Sequence, residues 1–412
     1  MPPGKVCAMG EKYGLISARA PGAASAVNSG LLGQPPLSLY IHIPWCVRKC
    51  PYCDFNSHPQ KTGLDEKAYV DALLADLRIE RELVMGRSIE SVFIGGGTPS
   101  LFSAEGIGRL LSGIADAVTW GEEIEITMEA NPGALESLRL PGYREAGVNR
   151  LSLGAQSLNP DSLQALGRIH GPDEIVAAVE RAKQAGFERI NLDMMFGLPR
   201  QTPAMAAADL AAAIALNPGH ISYYQLTLEP NTPFHLSPPE LPDEDRLWQI
   251  QLQGSESLRK AGFEQYEVSA FARPGERCRH NLNYWRFGDY LGIGAGAHGK
   301  VTTRDGVIRR RWKRRHPNDY LSAAGGALPF LQGERQLDAQ DLTVEFMMNA
   351  LRLRQGVEAA LFPAATGLGL DSLGGPLSVA IEKGLIHPVG DRLQPTPLGC
   401  RFLNDLLSLF EA

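Results

Sequence analysis

Three cysteines lie within eight residues, Cys46, Cys50 and Cys53, in the run Tyr40-Ile-His-Ile-Pro-Trp-Cys-Val-Arg-Lys-Cys-Pro-Tyr-Cys53. Thiolates at that spacing can hold three irons of a four-iron cluster and leave the fourth iron without a protein ligand. Electron carriers of the ferredoxin type normally close all four positions with cysteine, so an open iron suggests that a small molecule binds there. The competing reading is a structural zinc site. Structural zinc takes a closed tetrahedral shell, typically from two close pairs of ligands. Only His42 or His58 lies nearby as a fourth ligand, and Cys7, Cys278 and Cys400 are isolated.

Other residue types that could do chemistry recur along the chain. Phe93-Ile-Gly-Gly-Gly-Thr-Pro-Ser100 places Gly96, Gly97 and Thr98 where the backbone can approach a ligand closely. A glycine run alone is more often a turn than a site. Glu129, in Thr127-Met-Glu-Ala-Asn-Pro132, is either a solvated strand end or an acceptor for hydroxyls. Gln156 repeats that placement after Leu151-Ser-Leu-Gly-Ala155. Arg168, in Leu166-Gly-Arg-Ile-His170, offers a bidentate fork for a carboxylate. Asp193 is a charge inside the otherwise apolar Ile190-Asn-Leu-Asp-Met-Met-Phe-Gly-Leu-Pro199, and such charges are rarely left unpaired. Each is ambiguous singly.

Two further segments carry candidate groups. His280-Asn-Leu-Asn-Tyr-Trp285 sets an imidazole, which can ligate haem iron, beside two flat apolar surfaces, Tyr284 and Trp285. The bland reading is aromatic packing. Arg309-Arg-Arg-Trp-Lys-Arg-Arg-His316 is dense in positive charge and interleaved with Trp312. It could meet phosphates, porphyrin propionates or an acidic partner, but we expect a solvated charged segment and assign it no site.

Alternating strands and helices must position these residues. Strand-like runs fall at Leu39–Ile43, Ser91–Ile94, Glu125–Glu129, Arg150–Leu153, Ile190–Met195 and Ser222–Leu228. Between them, helical spacing appears over Leu64–Val84, after a Ser103 cap, from Pro172 to Gly186 and over Ala204–Leu216. This alternation implies an α/β fold, a parallel sheet with helices outside. Six strands are too few for an eightfold barrel, so we expect a partial, TIM-like (β/α)6 barrel with its ligands at the C-terminal strand ends. The cysteine loop and most of the polar candidates sit there. The expected boundaries are an N-terminal extension over 1–36, a barrel over 37–270, a Gly- and aromatic-rich accessory segment over 271–337 and a C-terminal domain over 338–412. That last part reads as helix over Leu342–Leu353, a hairpin turning at Gly390-Asp391 and a helix after Thr396, resembling a small winged-helix module.

Composition narrows the partners. Forty basic against 46 acidic residues give a net charge of −6, so bulk charge makes no case for nucleic acid. Six cysteines, three clustered, suit a reducing compartment better than a disulfide framework. No run of about 18 apolar residues predicts a membrane span. Residues 1–36, rich in Gly, Ala, Pro and Ser, lack the apolar core of a secretory signal and read as a disordered extension.

In order, the motifs resemble those of the oxygen-independent coproporphyrinogen III oxidase-like proteins, within the radical S-adenosylmethionine (SAM) enzymes. Tyr40-x-His-Ile-Pro-Trp-Cys, Gly-Gly-Gly-Thr-Pro-Ser, Glu-Ala-Asn-Pro, Gly-Ala-Gln-Ser and Asp-Met-Met-Phe-Gly-Leu-Pro all match, from about Leu37 to the C-terminus. The resemblance implies a [4Fe-4S] cluster on Cys46, Cys50 and Cys53, with SAM on the open iron. It implies SAM contacts from Tyr40, Tyr52, Gly96, Gly97, Thr98, Glu129, Gln156, Arg168 and Asp193.

The same family contains oxidases and haem chaperones. The oxidase pattern adds a fourth cysteine two residues after the third, where this chain has Phe55. The chaperone pattern His-Asn-x-x-Tyr-Trp is met by His280, Asn281, Tyr284 and Trp285. The resemblance therefore implies a cytoplasmic haem-binding protein that passes haem to apo haemoproteins, respiratory enzymes among them, with haem as cargo. It also admits a homodimer and peripheral membrane contact during delivery. The alternative is a coproporphyrinogen III oxidase that abstracts hydrogen from propionate side chains. Catalytic residues are left unassigned.

Overall fold

The computed structural model describes residues 34–411, except 61–62, 85 and 327–328. The expected N-terminal extension lies almost wholly outside the described residues. The centre is one twelve-stranded sheet. Its strands are β1 (Leu37–Ile43), β2 (Ser88–Gly96), β3 (Thr119–Ala130), β4 (Arg150–Gln156), β5 (Arg189–Phe196) and β6 (His220–Gln225), then β7 (Glu264–Gln265) and β8 (Ala270–Ala272), and finally β9 (Asp289–Ile293), β10 (His298–Thr302), β11 (Ile308–Lys313) and β12 (Leu331–Gln336). The spatial order is β12-β11-β10-β9-β1-β2-β3-β4-β5-β6-β8-β7, and it does not close.

All six expected strands form, in parallel and in chain order, as buried apolar runs favour. β1 is buried at all seven positions. The longer helices between them are α1 (Glu66–Glu80), α2 (Ala104–Ala117), α3 (Pro172–Gln184), α4 (Pro203–Ala215) and α5 (Glu244–Lys260). Their starts follow local chemistry. Ser103 Oγ accepts the Gly106 N–H at 3.0 Å, and Asp65 does the same for Ala68 at 2.9 Å. α3 begins on proline, and Gly186 beyond its end has φ 83°.

Two features depart from the sequence reading. The 271–337 segment is not merely loops and short strands. It forms α6 (Arg279–Trp285), then β9, which adds a seventh parallel strand against β1 with Leu37 opposite Asp289. A seven-residue helix and a strand rich in glycine and tyrosine give too little periodicity to recognise. The basic run is not a solvated segment either. Five of its residues lie in β11, between β10 and β12. There Lys313 is 2 % exposed and sits 2.5 Å from Asp76 and 2.7 Å from Glu80 of α1. Arg311 also reaches Glu80, at 3.0 Å. Strand alternation sends these cations under the sheet, where acids from α1 meet them.

After α7 (Pro317–Ala324), α8 (Ala339–Ala350) opens the C-terminal part. Val357–Glu358 pairs with Arg392–Leu393, and Ile386 with Pro395, so the chain does turn back at Gly390-Asp391. Helices at Pro397–Arg401 and Leu403–Ser408 follow. Leu406 of the last helix, and Leu342, Phe346 and Met347 of α8, share a second core with Tyr284, Trp285 and Phe287.

Candidate functional site

The cysteine loop leaves the C-terminal end of β1 and is fastened to the glycine run after β2. Gly97 N–H donates to Ile43 C=O, and Thr98 N–H to Trp45 C=O, both at 2.7 Å. A Cβ on Gly97 would stand 2.5 Å from the Trp45 carbonyl oxygen, and one on Gly96, at φ 118°, would stand 2.6 Å from the His42 ring. Only glycine lets the two loops come this close. Within the cysteine loop, Cys53 N–H turns back to Cys50 C=O at 3.1 Å. Lys49 Nζ donates to Phe55 C=O at 3.0 Å. Burial pushes the Cys46 thiol up and the Cys53 thiol up to about 11.

All three cysteines line one cavity of about 1250 Å³, part of it open to solvent. Tyr52, Phe55, Gly96, Gly97, Thr98, Glu129, Gln156, Arg168 and Asp193 line the same cavity. The polar groups come from successive strand ends. Arg168 Nη2 donates to Asn131 Oδ1 at 2.8 Å and to Gly154 C=O at 3.0 Å, while Nη1 stands 3.6 Å from Cys50 Sγ. Among the described residues, its Nε has no hydrogen-bond partner, nor does the buried Oε1 of Gln156. Gln156 itself has φ 63°, a strained conformation of the kind that collects at functional sites. Glu129 accepts the Gly96 N–H at 3.0 Å. Burial, and then Asp193 nearby, raise its carboxyl to about 8. Burial likewise raises Asp193, against hydrogen bonds from Asn191 and Ser152, each at 2.9 Å.

Tyr40 is placed differently. It lies beneath the glycine run, its hydroxyl 2.9 Å from His42 Nδ1 and its ring stacked on Phe93, and it does not line the cavity.

The cavity runs on to α6. Asn281 lines it, but the rest of the His-Asn-x-x-Tyr-Trp motif turns into protein. His280 is 1 % exposed. Its Nδ1 lies 2.9 Å from Ser91 Oγ and its Nε2 2.8 Å from Tyr284 Oη. Its ring stacks on Phe93 at 5.1 Å, and burial pushes its pKa down to about 3. The Trp285 ring meets the Arg352 guanidinium at 4.2 Å, and Arg352 pairs with buried Glu267 at 2.9 Å. Both ring nitrogens of His280 are thus engaged within the protein.

Several cavity residues escaped the sequence reading: Asn131, Arg150, Ser152, Asn191, His220 and Ser222. Their one signal is polarity within or beside otherwise apolar strands.

The residues present fit a cluster with an open iron. Three thiols converge on one cavity, the glycine cradle admits no side chain, and Gln156 and Arg168 hold unsatisfied polar atoms there. Comparison with known proteins agrees with the fold. Residues 40–211 match the family model of the radical SAM superfamily, and residues 337–402 match that of the HemN C-terminal domain. The heme chaperone HemW of Haemophilus influenzae is 50% identical over 380 residues, covering 91% of this chain and 98% of that protein. The chain belongs to the heme chaperone HemW family. The HemW of Escherichia coli is also 50% identical, over 92% of this chain and 99% of its own. That of Mycobacterium tuberculosis is 35% identical over 91% of this chain and 95% of its own. Among solved structures, the E. coli coproporphyrinogen III oxidase, described as a radical SAM enzyme, shares the fold. Its TM-score is 0.78 at 23% identity, with 92% of this chain and 91% of that chain covered.

Proposed function

We propose that this protein binds haem and passes it to apo haemoproteins, carrying a [4Fe-4S] cluster and SAM in the cavity. The observation that carries this reading is the convergence of Cys46, Cys50 and Cys53 with the glycine cradle, Glu129, Gln156, Arg168 and Asp193 on one cavity. Membership of the HemW family supports haem as the cargo.

In this reading the three thiolates hold three irons, and the cluster supplies an open iron that chelates an amino acid end. Gly96 and Gly97 present backbone to the ligand, Glu129 and Gln156 accept from hydroxyls, and Arg168 balances a carboxylate beside Cys50. Phe55 stands where the oxidase pattern has its fourth cysteine, so we assign no coproporphyrinogen oxidation to the chain. His280 can offer a lone pair to iron only after releasing Ser91 or Tyr284. Respiratory enzymes as recipients, a homodimer, a cytoplasmic location and peripheral membrane contact belong to the same proposal. Among the described residues, no helix is long and apolar enough to cross a membrane.

The test is a pair of titrations and one assay on the full chain. Anaerobic reconstitution is expected to give a four-iron spectrum that Cys50→Ala removes. Haem is expected to bind with a shifted Soret band and to leave for an apo haemoprotein. Reduced protein with SAM is expected to leave coproporphyrinogen III intact, and decarboxylation would overturn the chaperone reading.

A further inference from the structure

The cavity lining holds a second buried arginine, Arg150, whose charge meets Glu125 and Asp193 through space. Arg150 opens β4, six residues before Gln156. It is 3 % exposed and lines the cavity. Among the described residues its guanidinium makes no hydrogen bond or ion pair. Asn281 of α6 lines the same cavity, is 4 % exposed, and among the described residues its side-chain amide makes no hydrogen bond.

Buried guanidinium groups are normally paired, since removing the charge from water is costly. The acids nearest Arg150 are committed elsewhere. Glu125 sits 2.9 Å from Arg189 and accepts the His280 N–H at 3.1 Å. Asp193 is held by Ser152 and Asn191. His220, which also lines the cavity, spends both ring nitrogens on Asn191 and Tyr266. Arg150 and Asn281 therefore bring guanidinium and amide donors to the cavity lining. Arg168 stands beside Cys50, where in the proposed function it balances the carboxylate held at the open iron.

We propose that Arg150 and Asn281 form a second anion subsite, which takes a carboxylate arm of the cavity's ligand. Resting on the haem reading, this assigns the subsite to a propionate-class side chain. Arg150 makes the charge-assisted contact in a bidentate fork, and Asn281 donates beside it. The same pairing gives the chaperone motif a direct role through its asparagine, while its histidine holds the helix in place.

Two probes on the full chain separate this proposal from the haem reading. The first is thermal stability in sodium propionate, compared with sodium chloride and with neutral propionamide. Propionate alone is expected to raise the melting temperature of the wild type. Arg150→Gln is expected to abolish the shift, Arg150→Lys to keep part of it, and Asn281→Leu to weaken it. The second probe compares haem with haem dimethyl ester. Arg150→Gln is expected to weaken haem at least about tenfold, the scale of one lost charge-assisted contact, and to leave the ester unchanged. The subsite is overturned if propionate and propionamide act alike on the wild type, or if Arg150→Gln keeps the full shift. If Arg150→Gln does not fold, Arg150→Lys and Asn281→Leu decide by the same shift. Should haem fail to bind while the propionate shift still depends on Arg150, the subsite stands and the haem reading falls.

Discussion

At the scale of residues, the site couples proton uptake to burial. Glu129 has its carboxyl raised from the ordinary 4.5 to about 8. Between those values the folded chain holds a proton that the unfolded chain has released. Its contribution to stability is therefore complete below about 4.5 and is lost as pH rises through 8. Glu129→Gln should flatten that part of the ligand-free profile and leave the variant more stable than wild type at pH 9. Denaturant midpoints from pH 5 to 9 check this, and an unchanged slope would show that the carboxyl is already ionised. The buried thiols bear on loading in the same way. Cys53 holds its proton to about 11, so cluster assembly must expel protons. These residues were legible because their types and order are distinctive. Asn281 was legible only as part of the His-Asn-x-x-Tyr-Trp motif, and Arg150 was not, since an arginine opening a strand looks like a solvated end until the cavity behind it is seen.

At the scale of elements, α6 is the informative piece. Seven residues cannot hold a helix by propensity alone, so the His-Asn-x-x-Tyr-Trp motif is held by what it touches. The His280 N–H meets Glu125 of β3, the His280 ring bridges Ser91 and Tyr284, and Trp285 packs on Arg352. His280→Ala removes the hydrogen bonds to Ser91 and Tyr284 together with a buried ring stacked on Phe93, and we expect a destabilisation of about 2–4 kcal/mol. Asn281→Leu, which breaks no hydrogen bond within the protein, should stay near wild type. Urea unfolding of the two variants checks the contrast, and equal losses would refute it. The imidazole also sets an acid limit. With its pKa lowered to about 3, His280 contributes stability that is present above 6.5 and lost as pH falls below that value. Sequence periodicity located β1 to β6 and five of the helices because each is long and one-sidedly or wholly apolar. It missed α6 and β9, whose order depends on contacts far along the chain, and it misjudged the β11 cations, whose acids lie on α1.

At the scale of the whole molecule, the sheet and the C-terminal part are joined through the accessory segment. β9 lies between β1 and the antiparallel strands, and the residues just before it, Tyr284, Trp285 and Phe287, enter the C-terminal core. We expect the described parts to unfold together. Variants that keep only Trp45, against the first core, or only Trp285, in the second, should report coincident denaturant midpoints. Two separated midpoints would mean that the parts are independent. The parallel pairing of Leu37 with Asp289 has a further consequence, for synthesis. The strand that leads into the cysteine loop leaves the ribosome about 250 residues before its neighbour. At roughly 5–20 residues per second, one edge of β1 waits about 12–50 s for its partner. A nascent chain stalled before Asp289 would present the three thiols on a half-built sheet, open to oxidation and to stray metal until β9 closes the edge.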